Sequence, residues 1–452
     1  MESALCPLDG RYYERTECLR DFCSEIAYFK YRLYVELKYF IKLIDYLPEL
    51  SDLQGIKCQI ADKLMKYYND FSITDYKIIK NYESITKHDV KALEYYIQKI
   101  FIDEKMKQYV CFIHFGLTSQ DVNTSANSLM CKHSINDVLI PKLSQIADVL
   151  SIHSSNMKTK PMLSFTHGQP GVPTTMGKEL DVYIYRLKIQ INNLKNSVHS
   201  SKFGGAVGNF NAHVFAYPNI DWNIFANEFI ENDLELQREC ITTQISNYDN
   251  LCNTLNLLKS INNIINDLNI DCWLYISKGY LKQKINPNET GSSTMPHKVN
   301  PINFENSEGN INIANALIEG ITRKLPVSRL QRDLTDSTIL RNIGMVMGYC
   351  LLSYGSTLEG LNKIALNDEI IQRDLEENAI ILSEGIQTVM RKHKINNSYE
   401  ELKALTRVNR NIDIEDIKKY INTLERSIQK ELLVLNVNNY VGYSKCGREA
   451  PV

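Results

Sequence analysis

Apolar residues recur along this chain at the spacing of helix faces. In GKELDVYIYRLKIQINNLKNSV, residues 177–198, Leu180, Ile184, Leu187, Ile191, Leu194 and Val198 follow at intervals of 4, 3, 4, 3 and 4. That is the seam of a long amphipathic helix suited to a bundle. Leu258, Ile261, Ile265, Leu268, Cys272 and Tyr275 repeat the pattern at 3, 4, 3, 4 and 3, which predicts a second long helix over about 250–277. A third is predicted over about 133–157, and others begin near 302 and 336. Strand–helix alternation and a solenoid-length repeat are both missing from the pattern, so the fold expected is all-α with a long central helical bundle.

The seams are flanked by further apolar residues, among them Val182, Ile189, Leu257 and Ile264. One bundle of three to five helices leaves some of this surface uncovered. Helices of other copies of the chain are expected to cover it, in a homo-oligomer; the alternative is packing within one chain. Shifts in composition divide the chain into three expected domains. Residues 1–110 are rich in Tyr, Lys and Ile. Residues 111–364 hold the long helices and most of the polar motifs, and residues 365–452 form shorter helices rich in Asn, Glu and Lys.

The remaining bulk properties mostly exclude. The 452 residues are 44% hydrophobic and 23% charged, ordinary for a globular chain with a sizeable core. Lys and Arg number 51 against 53 Asp and Glu, and no basic block or acidic tail stands out. That gives no general electrostatic case for nucleic acid or a membrane surface, while a local basic cluster remains free to meet an anionic small molecule. Eleven scattered cysteines, never spaced C-x-x-C, argue against a disulfide framework or zinc knuckle and for a reducing cytosol. MESALCPLDGRYYERTE is too charged for a signal peptide, and no apolar run of 18 residues exists, so a cytoplasmic location is expected.

Chemistry concentrates in a few polar stretches. In ETGSSTMPHKVNPINFENSEGN, residues 289–310, Pro287, Gly291 and Pro296 break helix around the pair Ser292 and Ser293. Asn300 is placed to cap the next helix, with Pro301 at its first position. The expected element is a loop, 289–300, feeding a helix N-terminus where backbone N–H groups favour anions, with Lys298 beside it. LSFTHGQP, residues 163–170, sets His167 on a turn, where an imidazole suits general acid–base work. HFGLTSQDVNTSAN, residues 114–127, offers Thr118 or Ser119 as the cap of a helix starting near Gln120. VSRLQRDLTDSTILRN, residues 327–342, spaces Arg329, Arg332 and Arg341 as on a helix, with Ser337 between, as a clamp for carboxylate or phosphate. LDGRYYERT adds Arg11 and Tyr12 on a turn, and ITKHDVKALEYY places His88 and Asp89 ahead of a helix. Taken singly, each has a plain reading as linker, cap, loop histidine or salt-bridged surface.

Together they resemble the adenylosuccinate lyase family of the fumarase/aspartase superfamily. GSSTMPHKVNP is similar to the superfamily signature loop; THGQP, HFGLTSQDVN, GAVGNFNAH, TTQISNYD, NFENSEGN, LPVSRLQRDLTDSTILRN and EGIQTVMR resemble the adenylosuccinate branch. The likeness runs from about residue 6 to 445. It implies a mostly helical three-domain subunit in a homotetramer whose active sites are shared between subunits. It implies cleavage of adenylosuccinate to AMP and fumarate, and of the succinyl-carboxamide ribotide of purine synthesis to its aminoimidazole carboxamide product and fumarate, with no metal or organic cofactor.

Elimination of this kind needs a base for a weakly acidic C–H, an acid for the leaving nitrogen, and a positive cradle for the carbanion. By resemblance Ser292 is the base, as an alkoxide aided by Lys298, with Ser293 the rival assignment. His167 is the acid, oriented by Glu305. Arg11, Tyr12, Arg332, Ser337 and Arg341 hold the nucleotide and its phosphate; Thr118, Ser119, Lys298 and Asn300 hold the succinyl carboxylates; Gln244 and Asn306 touch substrate. His88, next to Asp89, either contacts phosphate or assists proton transfer. Lys87 stands where the family resemblance leads to an asparagine, which leaves a contact there open. The other readings are argininosuccinate lyase or fumarase, sharing the loop without the nucleotide clamp, and an inactive helical tetramer.

Overall fold

The structure, a computed structural model, describes residues 3–284, 295, 297–408 and 413–443. Ser292 and Ser293 lie outside the described residues. In chain order the main elements begin with α1 (Glu25–Leu43), α2 (Ile73–Thr86), α3 (Asp89–Asp103), α4 (Ser119–His133) and α5 (Ile140–Met157). A hairpin follows, β1 (Pro161–Thr166) and β2 (Gln169–Thr175), then α6 (Met176–Lys195) and the short strands β3 (Ser200–Lys202) and β4 (Gln237–Glu239). The second half runs α7 (Asp249–Ser277), β5 (Leu281–Gln283), α8 (Ile302–Lys324), α9 (Thr335–Leu340), α10 (Ile343–Lys363) and β6 (Ile364–Leu366). Short helices between Asp368 and Leu432 complete it. The expected helical fold is the one observed, with three two-stranded pairs added.

The seams behave as their spacing predicts. Leu180, Ile184, Leu187, Ile191 and Leu194 of α6 are buried, as are Leu258, Ile261, Ile265, Leu268 and Cys272 of α7. Val198 is exposed, because α6 stops at Lys195. Of the flanking apolar residues, Ile264 is covered within the chain, whereas Val182, Tyr185, Ile270, Trp273 and Leu274 stay exposed. The helix predicted over 133–157 is interrupted by a π turn, Ser134–Leu139. Pro141 explains it: with no N–H to offer, it leaves the carbonyl of Asp137 without its helical donor, and the turn widens. The helix after the signature loop begins at Ile302, and the Pro301 carbonyl accepts the first helical N–H groups, from Phe304 at 3.1 Å and Glu305 at 3.3 Å. Pro301 thus sits one place earlier in the helix than expected.

The chain packs as two compact units whose boundaries fall inside the long helices. One comprises residues to Lys142, Asn192–Asn262 and Asn310–Ser353. Its core is built on α1, whose Phe29, Leu33, Leu37 and Phe40 are buried with Leu93, Ile97 and Phe101 of α3 and with Phe203, Phe225 and Phe229. Tyr39 anchors this aromatic cluster edge-on to Phe225, at 5.8 Å and 85°. Each such side chain contributes roughly 1.5–3 kcal/mol on burial. Helix starts here are chemically fixed. Ser24 Oγ accepts the Ala27 N–H for α1. Ser72 and Asp75 form a reciprocal box for α2, and His88 Nδ1 accepts the Lys91 N–H at 3.1 Å for α3.

The other unit comprises Leu143–Ile191, Asn263–Gly309 and the chain from Tyr354. Its hairpin closes through His167 and Gly168, at φ 53 and 72°, between the paired residues Thr166 and Gln169. Two consecutive left-handed residues are what a two-residue hairpin turn of matching twist requires. Deep in this unit, Asn269 Nδ2 donates to Ser307 Oγ at 2.8 Å, Ser307 lies 2.8 Å from Thr357 Oγ1, and Thr357 donates back to Asn269 Oδ1 at 3.0 Å. All three are buried. This closed ring of hydrogen bonds ties α7, α8 and α10 in one register. Opening it strands two buried polar groups, so Ser307→Ala is expected to destabilise by about 1–3 kcal/mol. The double change Ser307→Ala with Thr357→Val should cost less than the sum of the singles, measured as urea midpoints in a double-mutant cycle.

Candidate active site

A cleft of about 550 Å³ opens in the first unit. Three N-terminal helix starts and the loop before α9 supply its walls. Thr118 caps α4 and donates its N–H to Asp121 Oδ2 at 2.9 Å. This sets Ser119 and Gln120 on the cleft wall. Asp121 is itself fully buried; it takes Lys202 Nζ at 2.6 Å and the Gly204 N–H at 2.9 Å. Burial lowers the Lys202 pKa, and Asp121 works against that shift. The pair locks the glycine-rich turn after β3 onto the start of α4.

The cleft is also lined by arginines. Arg332 Nη1 donates to Gln244 Oε1 at 3.0 Å and its Nη2 to Ser337 Oγ at 3.3 Å; Gln120 Nε2 donates to the same hydroxyl at 3.4 Å. Gln120 Oε1 is buried without a partner among the described residues. Arg341, largely exposed, lies 3.9 Å from Asp89. Asp89 is claimed chiefly by Arg32, whose Nη2 donates to it at 2.8 Å while its Nε donates to Asn123 Oδ1 at 2.8 Å. Burial pushes the Asp89 carboxyl up, but the Arg32 guanidinium, joined by the Val90 N–H and His88, holds the group below the usual carboxylate range.

Among the residues predicted from sequence, His88, Asp89, Ser119, Arg332, Ser337 and Arg341 line this one cleft, with Gln244 bonded to Arg332 and Thr118 at the adjoining cap. The helical spacing read for Arg329 and Arg332 does not hold. Both lie in the turn before α9, where Leu330 takes φ 50°, and Arg329 is turned outward onto Asp333. Arg11 and Tyr12 lie on the N-terminal turn and are not among the cleft-lining residues. Lys87, where a contact was left open, lines the cleft; so do Arg32, Gln120 and Asn123, which were not singled out for it, Arg32 being one of several charges along α1, with Lys30, Glu36 and Lys38.

His167, Lys298, Glu305, Asn300 and Asn306 belong to the second unit. His167 is exposed at the hairpin tip. Glu305, in the first turn of α8, accepts Trp273 Nε1–H at 3.0 Å, and Asn306 Oδ1 accepts the Ser356 hydroxyl at 2.8 Å. Lys298 is exposed, its N–H bound to the Met295 carbonyl at 3.0 Å. Among the described residues no three His, Cys, Asp or Glu side chains gather as metal ligands, and no helix is long and apolar enough to cross a membrane.

This helical architecture is that of a class of lyases. The chain superposes on a fumarate lyase from Mesorhizobium sp. BNC1 with a TM-score of 0.75, at 14% identity and 95% coverage of each chain. It superposes on a 3-carboxy-cis,cis-muconate lactonizing enzyme from Pseudomonas putida with a TM-score of 0.73, at 16% identity, covering 95% of this chain and 94% of that one. A family model described as Lyase matches residues 10–314, and one described as Adenylosuccinate lyase C-terminal matches residues 328–441. Adenylosuccinate lyase from Dictyostelium discoideum is 47% identical over 450 residues, covering 97% of this chain and 96% of its own. The enzymes of that name from Legionella pneumophila (strain Philadelphia 1) and Escherichia coli K12 are 44% and 40% identical, each at 97% and 96% coverage. The chain belongs to the adenylosuccinate lyase family.

Behind the cleft, His213 shows how the scaffold responds to pH. It is fully buried. Tyr39 donates its hydroxyl to the Phe115 carbonyl at 2.7 Å, so the contact at 3.1 Å is His213 Nε2–H donating to Tyr39. The ring fills the space beside Gly116, where a Cβ would approach it to 2.7 Å. Burial lowers the His213 pKa to about 4. Between about pH 6.5, where an unfolded histidine titrates, and about 4, the unfolded chain therefore binds a proton that the folded chain refuses. Stability falls as pH falls through that window, by about 3 kcal/mol from this group. In urea titrations at pH 7.5 and 4.5, His213→Phe is expected to lose less stability on acidification than the parent.

Proposed function

We propose that this chain eliminates fumarate from adenylosuccinate, leaving AMP, and from succinyl-aminoimidazole carboxamide ribotide, leaving its carboxamide product AICAR. Membership of the family carries this reading, and the cleft that joins Arg332, Gln244 and Ser337 beside Arg341 supports it as a seat for an anionic nucleotide. Ser292, as alkoxide, takes the proton from the carbon next to a succinyl carboxylate. The charge spreads onto that carboxylate, where Lys298 and backbone N–H groups meet it. The C–N bond breaks as the C=C bond of fumarate forms, and His167 delivers a proton to the departing nitrogen. Glu305 orients His167. Thr118, Ser119 and Asn300 hold the succinyl carboxylates; Asn306 and Gln244 contact substrate; Arg11, Tyr12, His88, Arg332, Ser337 and Arg341 hold the nucleotide side. For Asp89 the reading changes from substrate contact to a carboxylate that holds Arg32 and faces Arg341, since an anion there repels phosphate.

The working form is a homotetramer of three-domain subunits, 1–110, 111–364 and 365–452, with sites shared between copies. The exposed Val182, Tyr185, Ile270, Trp273 and Leu274 favour it, being the apolar surface a bundle of partner helices would cover.

The first test is the absorbance change on mixing the protein with adenylosuccinate; turnover of malate or fumarate alone would replace this assignment with another lyase of the superfamily. His167→Ala is expected to lower kcat by about 10² or more, given the usual contribution of acid catalysis; near-normal turnover removes it from the acid role. Ser292→Ala should remain tetrameric by light scattering and be almost inactive, and if Ser293→Ala is the dead variant the pair is assigned in the wrong order. Mixing the inactive His167→Ala and Ser292→Ala proteins should restore part of the activity, because hybrid tetramers then contain some sites with both groups intact. No recovery after subunit exchange would count against shared sites.

A further inference from the structure

Trp273 sits on the outer side of α7. The seam residues Leu268 and Cys272 face the core, whereas Trp273 is 40% exposed, with Ile270 and Leu274 exposed near it. The ring alone reads as apolar surface for a partner helix to cover. Its nitrogen is differently employed: Nε1–H donates to Glu305 Oε1 at 3.0 Å. Both residues belong to the second unit. Helix register sets this contact. Asn269 lies one turn earlier on α7, and its amide donates to Ser307 of α8 at 2.8 Å inside the closed ring with Thr357. With that pair fixed, the next turn of α7 brings Trp273 to the first turn of α8, where Glu305 stands. The Glu305 N–H is bound in turn to the Pro301 carbonyl at 3.3 Å. Main chain and side chain of Glu305 are thus tied at separate points.

An indole N–H only donates, and it carries no charge. It therefore fixes one carboxylate oxygen, leaving the other to accept from an imidazole, and does not cancel the negative charge. A lysine or arginine in its place would offset the charge that favours a protonated histidine. We infer that Trp273 is a positioning residue for the elimination, its N–H holding Glu305 in the rotamer that orients His167. The inference rests on the reading above, in which Glu305 orients His167, and adds to it the group that orients Glu305. The rival account, a ring that only supplies apolar cover, makes no use of the nitrogen.

The test replaces Trp273 with Phe and with β-(3-benzothienyl)alanine, which keeps the outline of indole but has sulfur where the N–H was. Activity on adenylosuccinate is followed in the parent, in both variants, in Glu305→Ala and in the double variants. Loss of one hydrogen bond to a partly exposed carboxylate is expected to lower kcat about 3- to 20-fold in both Trp273 variants, with KM within about twofold. Because Trp273 acts through Glu305, neither change should lower kcat further in the Glu305→Ala protein. The benzothienyl side chain fills the same space as the native one, so its kcat decides the matter where Phe disturbs packing. Three results would leave Trp273 as apolar cover and overturn the proposal: parental kcat in the benzothienyl variant, a fall that accompanies loss of the parent's mass in light scattering, or a further fall when that side chain is added to Glu305→Ala. A parent protein inactive on adenylosuccinate, or a Glu305→Ala protein with parental kcat, would instead refute the reading on which the inference rests.

Discussion

One buried carboxylate organises the wall of the cleft in the first unit. Asp121 accepts the Thr118 N–H, the Lys202 ammonium and the N–H groups of Gly204 and Gly205. An ion pair this deep adds little net stability against a well-packed apolar alternative, because both charges leave water to make it. Its value is positional. Four donors arriving from two stretches of chain leave the carboxylate a single orientation, and with it the cap of α4, Ser119 and Gln120. The histidine-filled space beside Gly116 and the backbone carbonyl of Gly205, which takes a second bond from Lys202, complete a rigid floor under the cleft.

The helices could be read from the sequence because their burial follows a single period. Each seam residue from Leu180 to Leu194 and from Leu258 to Cys272 repeats a decision the bundle makes over and over. What escaped were features decided once. The hairpin β1–β2 contains Pro161, Pro170 and Pro173, which mask its strand character. The left-handed pair His167–Gly168 was the available signal for it, though only the turn was read. The π turn before α5 hangs on the one missing N–H of Pro141. The arginine run looked helical because its spacing was, yet the backbone turns at Leu330 and sends Arg329 and Arg332 different ways.

The site residues divide by the same logic. Those carried by local chemistry, such as the Thr118 cap or the His88 start of α3, fall where the sequence put them. Those whose role depends on a distant partner did not reveal it. Arg32 and Asn123 stand 91 positions apart in the chain, and nothing local to either announces the bond between them. Asp89 changes meaning for that reason: beside His88 it reads as a binding group, whereas beside Arg32 it reads as the counter-charge that keeps a guanidinium in place.

The ring of Asn269, Ser307 and Thr357 has a direction of travel. Hydroxyls give or take a hydrogen equally well, so two of its members are indifferent to the sense in which the bonds circulate. The amide is not: its nitrogen only gives and its oxygen only takes, so Asn269 alone dictates the circulation. An ionised aspartate has nearly the same outline and offers no hydrogen at all. At this position three helices therefore distinguish two side chains of almost identical shape by the placement of protons, a form of selectivity that volume and hydrophobicity do not express.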